Sequence, residues 1–390
     1  SDKRTAFQAM VQSLELNRAY YHDCIAKILA DHCPEIAQRH AAALIGWGSE
    51  VLGNDDEFSK IYGWGPRVVL FLTPEDLAQW GHKVVYMLHK HVPSEILGQP
   101  TRFTDPTTGP PTPTTEPGGV LQIPITTCAR FARLYLGLEE AEVAQSTLPA
   151  RRWLRIPEAG LLRLTAGEVF HDSVGTLTQL RDTFHYFPDD VWRYRLAYQW
   201  TMLNWDIDLI GLCAHRWDTL SARVTLARSV ERIIGLIFLL NRVYKPGYPK
   251  WLHRQFYKLP HLAADLGPDL EALLAFDDVT ASTARLYPIL DALVAFQCRC
   301  ADLPVPDYKK SAHLDRGFFA YDLQPIIDAL RATIHGELHD LPFKIGAMDQ
   351  WVADQNLLMW PVHLQSLASI YDCEDPVAAI FRRNDFEHFL

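Results

Sequence analysis

The chain changes its hydrophobic rhythm near residue 127, and that change limits the folds open to it. Before it, short apolar runs alternate with helical stripes. Ala41-Ala42-Ala43-Leu44-Ile45-Gly46 and Arg67-Val68-Val69-Leu70-Phe71-Leu72 read as buried strands. Val120–Ile125 reads as a third strand, weakened by Pro124, which has no N–H to donate. Residues 7–32 place Phe7, Met10, Val11, Leu14, Ala19, Ile25 and Leu29 at helical spacing. Thr73-Pro74-Glu75-Asp76 starts a helix to about His91, with proline at its first position. After residue 127 the pattern is almost wholly helical, with apolar stripes over 188–215, 217–244, 269–301 and 322–335. This predicts an α+β chain: a small α/β domain over 1–140 and a large helical domain over 141–390. Residues 105–119 (DPTTGPPTPTTEPGG) are too rich in proline for a helix or central strand and predict a mobile surface loop.

Charge narrows the partners. The net charge is −10, without the basic footprint of a nucleic-acid binder, so a small molecule or a protein is expected instead. The seven cysteines are scattered and odd in number, which reads as reduced thiols in a cytoplasmic protein. The start shows no leader pattern, and Ser1 reads as the remnant of a removed tag. The longest apolar run, residues 233–240, is too short to span a bilayer. Oligomeric state is left open.

The pattern strand, Gly48-Ser49 turn, helix, strand has a chemical use. Such a turn at a helix N-terminus offers N–H groups and a hydroxyl to a phosphate. In this arrangement two carboxylates spaced D-x-D on the next strand share one face and hold Mg²⁺ against a triphosphate. The sequence reads Gly48-Ser49-Glu50-Val51-Leu52-Gly53-Asn54-Asp55, then Ser59, then Trp64-Gly65-Pro66-Arg67. Further stretches are Ala166–Asp172, Pro188–Tyr194, Tyr248–Leu252 and Ile345–Gln350. Together these resemble a domain-of-unknown-function family of the nucleotidyltransferase superfamily, whose signature is G-S-E-x-L-G-x-D-x-x-x-S-x-D-H-D-W-G-P-R.

The departures carry the functional expectation. Where the family has D-H-D, this chain has Ile61-Tyr62-Gly63. The third strand offers Gln122 and Pro124 and no acid. The family's Q-E-E and G-R fall on Trp205-Asp206-Ile207 and Gly211-Leu212, where Asp206 alone keeps a charge. The resemblance therefore implies a degenerate member that lacks the metal ligands and no longer transfers nucleotides, with no metal and no cofactor. Losing one group that stabilises a transition state electrostatically costs about 10²–10³ in rate, and here several are replaced. Asp55, Asp56 and Glu57 are alternative ligands, but solvated turn acids are the simpler reading.

Ile61, Tyr62, Trp205, Ile207 and Leu212 would make the former cleft apolar. The leading expectation is a metal-independent biosynthetic enzyme that holds an apolar intermediate between its domains. It would promote cyclisation, Diels-Alder-type cycloaddition or isomerisation by conformational control and hydrogen bonding. Tyr62, Asp206, Arg67 and His171 are the candidate catalytic groups. Ser49, Glu50, Ile61, Trp64, Arg193, Tyr194, Trp205, Ile207 and Lys250 are the candidate binding groups. The alternatives are a Mg²⁺-dependent nucleotidyltransferase acting on a small molecule, and a non-enzymatic binding module. His335 and His339, four apart, read as a chance pair at a helix end.

Overall fold

The structure is a computed structural model that describes residues 13–372 apart from 57, 60–62, 117, 146, 276–278, 309–320 and 342–344. Ile61 and Tyr62 lie outside the described residues. The architecture is α+β, with two compact units. The first holds residues 1–147 and 160–185, the second 148–159 and 186–390. The expected boundary at 140/141 thus sits seven residues early, and residues 160–185 return to the first unit.

That return has a clear cause. Glu168–Asp172 is a strand that pairs with the first strand of the sheet, within a stretch whose sequence pattern is almost wholly helical. We number the elements that matter here. In the first unit they are β1 (Ala41–Leu44), β2 (Val69–Phe71), α1 (Pro74–His91), β3 (Ile125–Thr126), α2 (Cys128–Leu136), β4 (Glu168–Asp172) and α3 (Thr176–Thr183). The sheet order is β3-β2-β1-β4, with β2 parallel to β3 and antiparallel to β1, and β4 antiparallel to β1. Ala42 lies opposite Leu70 on one side and His171 on the other.

Alternation sets the two faces of this sheet. Ala42, Val68, Leu70 and Leu72 join one core with Tyr20, Ile25, Ile28 and Leu29 from the N-terminal helix, and with Val84 and Leu88 from α1. That N-terminal helix runs through Ser13–Ala19, a π-helical turn Tyr20–Ile25 and Ala26–His32. On the opposite face Phe71 meets Phe131 of α2, ring centroids 5.4 Å apart. Thr73 caps α1 by accepting from the Asp76 N–H, as its sequence implied, and Thr127 caps α2 by accepting from the Arg130 N–H. The expected strand 120–125 is broken near Pro124 into Val120–Leu121, which pairs with Arg102–Phe103, and β3. The Pro/Thr-rich segment is mostly exposed, but it is tied back: the Thr104 N–H donates to Thr112 O, and the Thr114 N–H to Arg102 O.

The second unit is helical. Its main elements are α4 (Asp189–His215), α5 (Thr219–Leu240), α6 (Ala263–Ala275), α7 (Val279–Ala301) and α8 (Gln324–Arg331). The helix expected over 269–301 falls on α6 and α7, and residues 276–278 between them lie outside the described residues. Residues 194–201 of α4 are buried without a break, so this helix has no polar back there and forms the centre of the unit. It packs on α5, α7 and α8. Trp192 Nε1–H donates to Leu239 O of α5 at 2.8 Å, and Trp200 Nε1–H donates to Gln297 Oε1 of α7 at 2.5 Å. Both indoles thus bury their apolar area without stranding a donor. Among the described residues no helix is long and apolar enough to cross a membrane.

Candidate functional site

In the first unit the expected anion cradle is occupied by the protein itself. Ser49 opens only a three-residue 3₁₀ turn, Glu50–Leu52, and its hydroxyl points to Glu50 Oε2 at 3.4 Å. Glu50 and Arg67 are almost fully buried and form an ion pair at 2.6 Å. The Arg67 guanidinium also donates to Trp47 O and lies 4.4 Å from the Trp47 ring centroid. Its backbone N–H donates to Asn17 Oδ1 at 2.5 Å. Gly48, at φ +122°, allows this: a Cβ there would stand 2.7 Å from the Arg67 guanidinium. Arg67 and Glu50, expected as catalytic and binding groups, therefore brace the turn.

Other first-unit expectations resolve similarly. Trp64 is buried. Gly63 is packed against Trp47 and Pro111, and Gln122 Nε2–H donates to Gly63 O at 3.0 Å. Asp55 accepts from the Ser13 hydroxyl, and Asp56 accepts from the N–H groups of Phe58 and Ser59, so both act as turn acids. Asp172 accepts from the N–H groups of Gly175 and Thr178, which fixes the start of α3. His171 lies tilted against His40, ring centroids 4.6 Å apart, with its Nε2 buried and unbonded. His40 uses both nitrogens, on Ile36 O at 3.1 Å and the Tyr21 hydroxyl at 2.9 Å. Burial pulls its pKa down to about 4, against the backbone carbonyl of Ile36, and His171 lowers it further.

The second unit carries the more elaborate polar arrangement. A cavity of about 350 Å³ is lined from α4 by Arg195, Tyr198 and Gln199, and from α5 by Arg228, Glu231, Arg232, Gly235 and Leu239. Glu158, Lys245 and residues 349–353 complete it. Its floor is a buried three-membered ion cluster. Arg195 grips Asp349 with two bonds, 2.9 and 3.0 Å, and reaches Glu158 Oε2 at 3.3 Å. Burial alone would lower the pKa of Arg195, but Asp349 and Glu158 outweigh it and raise it. Glu158 is the weaker partner. Burial raises its pKa, opposed by Arg195 and assisted by the charge of Asp349. Its Oε1 accepts the Lys245 N–H at 2.9 Å.

The wall is set by Asp206 of α4. Asp206 is buried and accepts from Arg228 Nε and Nη2 at 2.9 and 2.5 Å and from Arg232 Nε at 2.5 Å. Positions 228 and 232 are four apart on α5, so one carboxylate on α4 orients both guanidinium groups. Arginine has five N–H donors, and Asp206 takes three from the pair, leaving a donor-rich wall. Lys245 adds a cationic head, Glu231 a carboxylate at the rim, and Tyr198, Leu239, Trp351 and Val352 apolar surface.

Residues 153–252 match the model of the family Domain of unknown function (DUF4037). No curated protein and no solved structure matches the chain. Ten of the fifteen cavity residues, Glu158 to Lys245, fall inside the DUF4037 match.

The sequence-predicted groups of this unit scatter. Ile207 is buried and Trp205 is 47% exposed, so the two do not form one apolar wall. Arg193 donates to Thr333 Oγ1 at 3.0 Å and Ala301 O at 3.3 Å, and Tyr194 lines a separate cavity of about 150 Å³ near Leu338. Tyr194 is twelve residues before Asp206 on α4, about 18 Å along the axis at 1.5 Å per residue. Lys250 is exposed over the rings of Tyr248 and Trp251. His335 sits near Asp190 at 3.6 Å and His339 near Asp340 at 2.9 Å, and they share no ligand geometry. Among the described residues no three His, Cys, Asp or Glu side chains are grouped to hold a metal ion. The sequence reading missed Glu158, Arg195, Arg228, Arg232 and Asp349. The signal within reach was Arg228 and Arg232 at i, i+4, one helix away from Asp206.

Proposed function

We propose that the protein is a metal-independent enzyme of small-molecule biosynthesis whose substrate binds in the helical-unit cavity. The observation that carries this reading is the pair Arg228 and Arg232, held by Asp206 with donors to spare beside apolar surface. This sharpens the expected ligand. An entirely apolar molecule would leave those donors without partners, so the substrate has an apolar body and a carbonyl or carboxylate head. Fixed donors aimed at an oxygen that gains negative charge favour the transition state over the ground state. Cyclisation, intramolecular cycloaddition and isomerisation fit such a site, because they conserve the atoms of one substrate and need no co-substrate. Asp206 is a positioning residue in this scheme, while Arg228, Arg232 and Lys245 contact the substrate head. A cytosolic location accords with the six free thiols among the described cysteines.

The test is incubation with conjugated polyene carboxylates and enones, read by chromatography with mass detection. The expected result is an isomer of unchanged mass, formed about 10²–10³ more slowly by Arg232→Ala. A product of changed mass, or saturable ATP binding that requires Mg²⁺, would sink the proposal. Binding of these probes without any turnover would favour a non-enzymatic binding module.

A further inference from the structure

The first unit holds a cavity of about 360 Å³ at the end of the sheet where the parallel strands β2 and β3 leave it. Crevices at the carboxyl ends of parallel strands are where open α/β sheets hold ligands. The volume lies within the range of small-molecule sites, about 300–1,000 Å³. Its inner wall is apolar, from Ala41, Phe71, Leu72, Ala129, Val143 and Leu180.

The polar groups of the wall decide what it recognises. Thr73 and Thr127 are already used as helix caps. His40 has both ring nitrogens bonded and stays neutral. Arg39, half exposed at the rim, has its charge paired with Asp76 at 2.8 Å and donates to Glu35 O at 3.0 Å. Cys128 Sγ–H points to Thr176 Oγ1 at 3.9 Å, and burial pushes its thiol up to about 11, so it is not a thiolate. Glu140, Gln145 and Gln179 line the rim and are exposed. The inner wall therefore satisfies its own hydrogen bonds and offers a guest mainly apolar contact. A charged guest would lose its hydration against the inner wall, where no unpaired counter-charge stands.

We infer that this cavity is a second small-molecule site, taking an uncharged, largely apolar ligand of alcohol or ketone type. It does not depend on the function proposed for the helical unit. An adjoining depression of about 460 Å³ shares Pro74, Thr127, Ala129 and Glu140 with it and runs along α1 past Gly81 to Val85, which gives a long ligand room to extend.

The test is calorimetry of the whole chain with geraniol, 1-decanol and decanoate. Geraniol or 1-decanol is expected to bind at one saturable site with a negative heat-capacity change. Ala144→Trp, an exposed change at the cavity mouth, is expected to weaken this at least tenfold, while Arg232→Ala leaves it within twofold. Bound ligand is also expected to slow iodoacetamide alkylation of Cys128 severalfold. Failure of both alcohols to bind, decanoate binding to the Arg232→Ala protein as tightly as 1-decanol does, or loss through Arg232→Ala but not Ala144→Trp would each overturn the inference. The second result would show a charged-head site, the third the other cavity.

Discussion

The two cavities have nearly the same volume, about 360 and 350 Å³, and opposite chemistry. In the first unit the polar side chains around the space are spent on helix caps and internal bonds. In the second, a buried acid aims two arginines at the space and leaves most of their donors over. The difference teaches that charge near a cavity is not a ligand signal by itself. Glu50 and Arg67 are as buried as any ion pair among the described residues, yet they answer one another, whereas Asp206 is outnumbered by its partners.

The sharpest way to break the comparison is to remove the floor of the charged cavity. Arg195→Ala leaves Glu158 and Asp349 buried without a counter-charge, and is expected to cost about 3–5 kcal/mol in denaturant unfolding. A loss below 1 kcal/mol would mean the cluster is solvated. Within the cluster, Glu158→Gln should be far milder than Asp349→Asn. Glu158 is the carboxyl whose pKa burial raises, so a neutral side chain suits its place, while Asp349 carries the two-pronged contact.

The first unit should answer to pH instead. His40 has a folded pKa of about 4 against about 6.5 unfolded, so the unfolded chain binds more protons between those values. Stability from this group is full above about pH 6.5 and falls as pH drops towards 4, by about 3 kcal/mol in total. Unfolding of the wild type against His40→Phe checks this; equal slopes for the two proteins between pH 7 and 4 would remove His40 as the cause. The smallest expected effect is Ala144→Trp, an exposed change that should alter stability by no more than about 0.5 kcal/mol. A larger loss would mean that the mouth of the apolar cavity is packed in the native state.

Much of the fold was legible where rules are local. β1, α1 and α4 followed from an apolar run, a Thr-Pro start and a long apolar stripe. β4 was missed because Glu168-Val169-Phe170-His171-Asp172 has charged ends and only five residues, and its identity comes from pairing with β1 across more than a hundred positions. The site was less legible for the same reason. Glu158 and Arg195 are 37 residues apart, and Arg195 and Asp349 are 154 apart, so no spacing rule joins them. Asp206 stands out in the sequence as an acid in an apolar stretch, but its role depends on two arginines of the next helix. The Gly48-Ser49 turn misled in the other direction: its signal is real, yet the side chains of Glu50 and Arg67 fill the space a phosphate would need.

In the proposed function the donors of Arg228 and Arg232 meet a substrate oxygen rather than a metal-bound nucleotide. The most direct measurement is calorimetric titration of the whole chain with sorbate, a conjugated diene carboxylate, and with ATP plus Mg²⁺. Sorbate is expected to bind saturably and to weaken at least tenfold in Arg232→Ala, with no Mg²⁺-dependent binding of ATP. Saturable ATP binding that needs Mg²⁺, with sorbate inert, would contradict the proposed function.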